Sequence, residues 1–315
     1  MTTRRTFLKS SATLSAGLLA TGALFSSPTN TRKFSISIKA GNIGVQLPLP
    51  ALIDKASAFG FEAISPDGKE LVNLEPGEMQ DLIGKMRTKN MKWGAGGVGV
   101  QFRKDEESFK KGLQKLPAVA KAYQQAGVQR IGTWIMPTHP ELSYVPNFQQ
   151  HVERLSQIAQ ILDDHDLQLG LEYVAPKTLM AKSRYPFMRT LAELRTLIAE
   201  IRPANVGVIL DAFHWYCAED TVEDLLSLSN SDVVAVDLND ATAGRSRDEQ
   251  IDGQRQLPLA SGIIDLTAFM SAIVKIGYDG PVRAEPFNQP LRDMKDEQAL
   301  KATYAAMKKA VDLVE

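Results

Sequence analysis

Only one cysteine, Cys217, and four histidines occur in the 315 residues. A single thiol forms no intrachain disulfide, and so few histidines exclude zinc-finger architectures and His-rich multi-metal clusters. Cys217 is expected to be a small buried hydrophobe. Charge of one sign is scarce too: 36 Lys and Arg stand against 37 Asp and Glu, a net of −1. No basic block lies beyond the first ten residues, so the electrostatic footprint of a nucleic-acid binder is missing. With 44% hydrophobic and 23% charged residues, disordered, collagen-like and membrane-channel classes are excluded, and the chain can bury one large core or two smaller ones. Small or weakly charged partners are favoured, and any metal site must lean on carboxylates.

The first segment reads differently. Thr3-Arg4-Arg5-Thr6-Phe7-Leu8-Lys9 precedes an uncharged stretch rich in Ala, Gly, Ser and Leu, residues 10–25. This resembles a twin-arginine export signal: a charged leader, an apolar region shorter than a membrane span, then small residues around Ala20 to Ala23. Residues 1–33 are therefore set apart from the fold as signal and linker. The reading implies a twin-arginine translocase as partner, a periplasmic or otherwise exported location, and no stable membrane span after processing. Residues 1–33 hold Arg4, Arg5, Lys9, Arg32 and Lys33 and no acid, so the remainder carries 31 basic against 37 acidic residues, or −6.

From residue 34 onward, short apolar runs rich in β-formers alternate with longer amphipathic segments. Strands are expected at 34–40, 61–65, 91–97, 129–136, 167–174, 206–211, 232–239 and 281–285. Helices are expected at 50–59, 78–90, 105–126, 147–164, 189–202, 221–229, 265–276 and 292–314. Asn147 and Asp265 read as N-caps, Thr221 with Asp224 as a capping box, and Gly127 and Gly277 as helix stops. Eight β/α units in about 280 residues point to one closed (β/α)8 barrel, an α/β fold over residues 34–315. An open doubly wound sheet is the runner-up, disfavoured because no G-x-G-x-x-G follows the first strand. The glycines between Gly94 and Gly99 read as a bend at the barrel rim.

The last four expected strands each carry an acid near the end: Glu172, Asp211, Asp237 and Glu285. In a barrel these ends converge on one cavity. Four acids there repel one another unless a cation neutralises them or some are protonated. One divalent ion is the economical answer, and an oxygen-rich set suits Mg²⁺ or Mn²⁺.

Several segments together carry a resemblance: Leu169-Gly170-Leu171-Glu172-Tyr173, Gly207-Val208-Ile209-Leu210-Asp211-Ala212-Phe213-His214, Val236-Asp237-Leu238-Asn239-Asp240-Ala241, Arg255-Gln256-Leu257-Pro258, Ser261-Gly262-Ile263-Ile264-Asp265, and Gly277-Tyr278-Asp279-Gly280-Pro281 leading into Glu285-Pro286-Phe287. The chain resembles the xylose isomerase-like barrel superfamily. The branch is the one usually called sugar phosphate isomerase/epimerase, with tagatose-type epimerases and inosose dehydratases. The resemblance implies Glu172, Asp211 and Glu285 as metal ligands, with His214 and Arg255 orienting substrate. Where the family commonly has a fourth ligand His, this chain has Asp237. Three outcomes stay open: Asp237 ligates through oxygen, His214 moves into the shell, or metal binding is weak or lost.

Such a constellation supports a metal-dependent sugar isomerase or epimerase. Glu172 and Glu285 would be the catalytic pair, one removing a proton beside a carbonyl and the other returning it through an enediolate. Expulsion of a β-leaving group from a keto-sugar or keto-glycoside, a lyase or dehydratase reaction, is the alternative. A non-catalytic sugar-binding barrel is the second. Trp134 is a candidate aromatic wall for a sugar face. Lys177, with Arg184, either closes over an anionic substrate or is a solvated charge. His139, His151 and His165 read as structural or surface groups. An exported protein meets few sugar phosphates, which favours free or glycosidic sugars. Homo-oligomerisation is left open.

Overall fold

The computed structural model describes residues 32–315. The segment with the expected signal, up to residue 31, lies outside the described residues. The chain builds β1 (Ser35–Ile38), β2 (Ala63–Ile64), β3 (Lys92–Trp93), β4 (Gly96–Gly97), β5 (Arg130–Ile135), β6 (Thr138–His139), β7 (Gln168–Tyr173), β8 (Tyr185–Pro186), β9 (Val206–Asp211), β10 (Val233–Leu238) and β11 (Pro281–Ala284). Nine of these form one parallel sheet in the order β3-β2-β1-β11-β10-β9-β7-β5-β4. Its two outermost strands, β3 and β4, are consecutive parts of one segment, so the sheet curls back on itself as an α/β TIM barrel. The eight expected strands are all present, the third broken at Gly94-Ala95 where a bend was read. A side chain at Gly96 would stand 2.8 Å from the Tyr123 hydroxyl, which bonds the Gly97 carbonyl. That close approach explains the glycine.

Parallel strands covered on both faces should be apolar throughout, and β10 is buried at all six positions. Inside the barrel, a Cβ on Gly132 or Gly170 would fall 2.6 and 2.8 Å from Ile209 side-chain atoms. Ile209, with Ala95 and Ala235, therefore fills the lumen beneath the site.

Outside lie the helices Leu49–Phe59, Pro76–Thr88, Glu106–Ala126, Tyr144–Asp163, Leu191–Glu200, Val222–Leu226, Leu266–Lys275 and Asp296–Val311. Asp265 caps through Ala268 N–H, Thr221 and Asp224 form the capping box, and Gly127 ends its helix at φ 81°. Asn147 does not cap. The helix starts one turn earlier, behind Ser143, and buried Asn147 instead accepts from His151 Nδ1 at 2.8 Å through its carbonyl. Short extra helices at Gly68–Val72, Lys177–Met180, Ala212–Ala218 and Gln289–Arg292 escaped the periodicity reading because each is two turns or less. Among the described residues no helix is long and apolar enough to cross a membrane.

Candidate functional site

Register brings the acids together. Asp211 on β9 pairs with Asp237 on β10, and Asp237 pairs with Arg283 on β11. Neighbours across a parallel ladder share a face, so all three point into the lumen. Glu285 lies two residues beyond Arg283, and Glu172 stands beside Trp134 between β7 and β5. One oxygen from each of Glu172, Asp211, Asp237 and Glu285 lies within 4.8 Å of the others.

Two guanidinium groups lie among these acids. Arg283 grips both oxygens of fully buried Asp237, at 2.5 and 2.8 Å. Arg255 donates from Nη1 to Asp211 at 2.8 Å and Glu285 at 3.2 Å, and from Nη2 to Asp252 at 2.6 Å. Its guanidinium lies 4.9 and 4.7 Å from the ring centres of Phe213 and Phe287. Asp211 also accepts from the Phe213 and His214 amides, capping the next helix, and from Asn239 Nδ2 at 2.9 Å. Glu285 accepts from Asn42 Nδ2 at 3.0 Å.

His214 presents Nδ1 to the Ala175 amide at 3.3 Å and Nε2 to Arg255 Nη2 at 3.0 Å. Both neighbours are donors, whereas a neutral ring accepts at one nitrogen only. Burial lowers the His214 pKa and keeps the ring neutral. Burial, reinforced by Glu285, Asp211 and Asp237, pushes the Glu172 carboxyl well above the usual carboxylate range. Burial also works against the Arg255 charge, but Asp211, Asp252 and Glu285 outweigh it and hold that group well above its ordinary value.

This donor set fits a hard divalent ion. Glu172 Oε1 is buried without a hydrogen-bond partner. The four acids against Arg255 and Arg283 leave two negative charges, the number a divalent ion cancels. The Asp237–Arg283 pair is formally neutral, as a histidine at position 237 would be. The four carboxylates could hold the ion, and Glu172, Asp211 and His214 form a second group close enough to do so.

Glu172, Glu285, His214 and Arg255 line a cavity of about 490 Å³, and Trp134 and Arg103 border it as well. Asp211 and Asp237 lie fully buried below its surface. Lys177 does not reach the cavity; its ammonium pairs with Asp248 at 2.8 Å. His139, His151 and His165 bond to local backbone or to Gln124, and Cys217 is buried, its thiol pushed up to about 12 by burial. The sequence reading missed Arg283, Asp252, Asn42, Asn239, Lys39 and Arg103. For Arg283 a signal existed: it precedes Glu285 by two residues on a strand, hence shares its face.

Comparison with known proteins bears on the fold that carries this site. The inosose isomerase of Bacillus subtilis (strain 168) is 22% identical over 214 residues, 67% of this chain and 72% of that protein. Among solved structures, a xylose isomerase domain protein from Alicyclobacillus acidocaldarius subsp. acidocaldarius superposes with a TM-score of 0.78 at 26% identity, covering 89% of this chain and 99% of that one. An IolI protein with a bound zinc atom gives 0.73 at 18% identity, covering 89% and 98%. A D-psicose 3-epimerase from Clostridium cellulolyticum H10 gives 0.67 at 17%, covering 90% and 100%. Residues 53–310 match the model of one family, and this chain belongs to it: the xylose isomerase-like TIM barrel family.

Proposed function

We propose that this protein is a sugar isomerase or epimerase that moves a proton on a carbon beside a carbonyl, with Glu172 and Glu285 as the acid–base pair. The observation that carries the proposal is the division among the four acids. Glu172 and Glu285 face the cavity, whereas Asp211 and Asp237 lie beneath it, bound to Arg255 and Arg283. Two accessible carboxylates from different strands can take a proton and return one. Burial and the neighbouring acids hold the Glu172 carboxyl well above the usual carboxylate range, and a bound ion would draw it back toward the ionised form. Arg255 and neutral His214 line the cavity beside the two glutamates, Arg255 bracing Glu285 and His214 through Nη1 and Nη2.

In this reading Glu172, Asp211, Asp237 and Glu285 hold one divalent ion, Mn²⁺ or Mg²⁺. When bound, it would polarise the carbonyl and chelate adjacent oxygens. The substrate is a carbohydrate, Trp134 is offered to a sugar face, and residues 1–33 direct export through the twin-arginine translocase. The names of the similar proteins, an inosose isomerase and a psicose epimerase, support the reaction class.

Elemental analysis of protein purified without chelator, paired with solvent deuterium incorporation into ketoses and keto-glycosides, tests the reading. About one divalent ion per chain and exchange on at least one compound are expected. Glu285→Gln should slow exchange at least about 100-fold, the scale of a lost general base, while the fold persists. Neither ion nor exchange on any compound would overturn the proposal, and a dehydrated product would move it to a lyase.

A further inference from the structure

Two cations in the cavity wall have no acid within ion-pair distance among the described residues. Arg103 follows β4 and lines the cavity, as does Lys39 at the end of β1. Among the described residues neither makes an ion pair, although six other arginines do, at 3.2 Å or closer. Lys39 makes no hydrogen bond through its ammonium either.

Arg103 is held rigidly by groups that leave its charge unspent. Its guanidinium stacks between Trp134, 4.0 Å from the ring centre, and Phe102, at 4.4 Å. Nη1 donates to the Trp134 carbonyl at 2.5 Å and the Thr133 hydroxyl at 3.1 Å. Nε and Nη2 have no partner, and they are not among the buried unsatisfied atoms, so this edge of the fork faces accessible space. The Nε/Nη2 edge offers two parallel N–H donors spaced for the two oxygens of a carboxylate or phosphate. Burial lowers its pKa to about 10, so the group stays charged at neutral pH. A desolvated cation without a counter-charge costs free energy that an arriving anion recovers.

The charge of the whole cavity agrees. Five carboxylates border or underlie it, Glu172, Asp211, Asp237, Asp252 and Glu285, against four cations, Lys39, Arg103, Arg255 and Arg283. With a divalent ion bound, one excess negative charge becomes one excess positive charge.

We infer that the substrate carries the carboxylate of a sugar acid, received by the free edge of Arg103 with Lys39 adding charge from β1. This rests on the proposed function for the identity of the sugar and of the ion, but its test reads binding rather than turnover.

Calorimetric titration of the full chain, purified without chelator, would compare three compounds matched except at one carbon: fructose, fructuronate and fructose 6-phosphate. Fructuronate is expected to bind at least about tenfold more tightly than fructose, the scale of one charge-assisted hydrogen bond. Tighter binding of fructose 6-phosphate than of fructuronate would overturn the carboxylate assignment. Arg103→Met should bring the preference to within about twofold, and Arg103→Lys should keep an intermediate one, since it restores the charge without the fork. Equal affinities, no detectable anion binding, or a preference that survives Arg103→Met would overturn the inference. Deuterium exchange read in parallel separates the two proposals: exchange on fructose with no anion preference sinks this one alone, whereas an anion preference without exchange sinks only the isomerase.

Discussion

Arg283 and Asp237 form a buried pair at the floor of the site, where a bidentate guanidinium meets a carboxylate with no exposed surface. Such a pair contributes little net stability, because desolvating both charges offsets their attraction, yet removing one partner strands the other. Arg283→Met in metal-free protein is therefore expected to destabilise the fold by about 3 kcal/mol. The double variant Asp237→Asn with Arg283→Met should recover most of that loss. Urea denaturation of the single and double variants, compared as a double-mutant cycle, measures the coupling. A double variant no more stable than Arg283→Met would show that the pair is not the unit argued here. The pair also shows what the sequence made legible. Glu172, Asp211, Asp237 and Glu285 stood out because each ends an apolar strand. Arg283 shares a face with Glu285 by its spacing, but its partner follows only from its register against Asp237.

The segment between β10 and the helix Leu266–Lys275 has few regular elements, yet it delivers Asp252 and Arg255 to the site. Asp240 organises it. Its carboxylate accepts the amides of Ala241, Ser261, Gly262 and Ile264, at 2.7 to 3.1 Å, and its backbone bridges to Gln256. Gln250 closes a second ring through the Thr242 backbone. Asp240→Ala leaves four amides unanswered, three of them across the loop. We expect a loss of about 2 to 4 kcal/mol, at about 1 kcal/mol or more per buried unsatisfied group. Amide exchange should quicken across residues 241–264 and stay slow in β7 and β9. Uniform loss of protection would place the role of Asp240 in the global fold rather than in the loop. The expected strand ending at 239 and the expected helix starting at 265 leave a long connection, which belongs at the C-terminal face because it follows a strand. How it folds was not legible, because it is built from side-chain bonds to backbone that leave no period in the residues.

For the molecule as a whole, the first described residue is already tied to the barrel. Arg32 bonds Glu62 at 2.8 Å and Glu315 at 2.6 Å, linking the start of the described chain to its last residue. The sequence reading had grouped Arg32 with the segment ahead of the barrel. Cleavage upstream of Arg32 would leave these contacts whole, so export and barrel stability should be separable properties. Arg4 and Arg5 offer the clean probe, since changing both to Lys preserves charge and apolar content and removes only the two guanidinium groups. If the leader acts through charge alone, the double variant should be exported as before. If a translocase reads the arginine pair, precursor should accumulate inside the cell, folded and as stable as the parent. Fractionation with immunoblotting measures the first property and thermal denaturation of purified precursor the second. Unimpaired export of the variant would refute the twin-arginine assignment while leaving the barrel and its site as described.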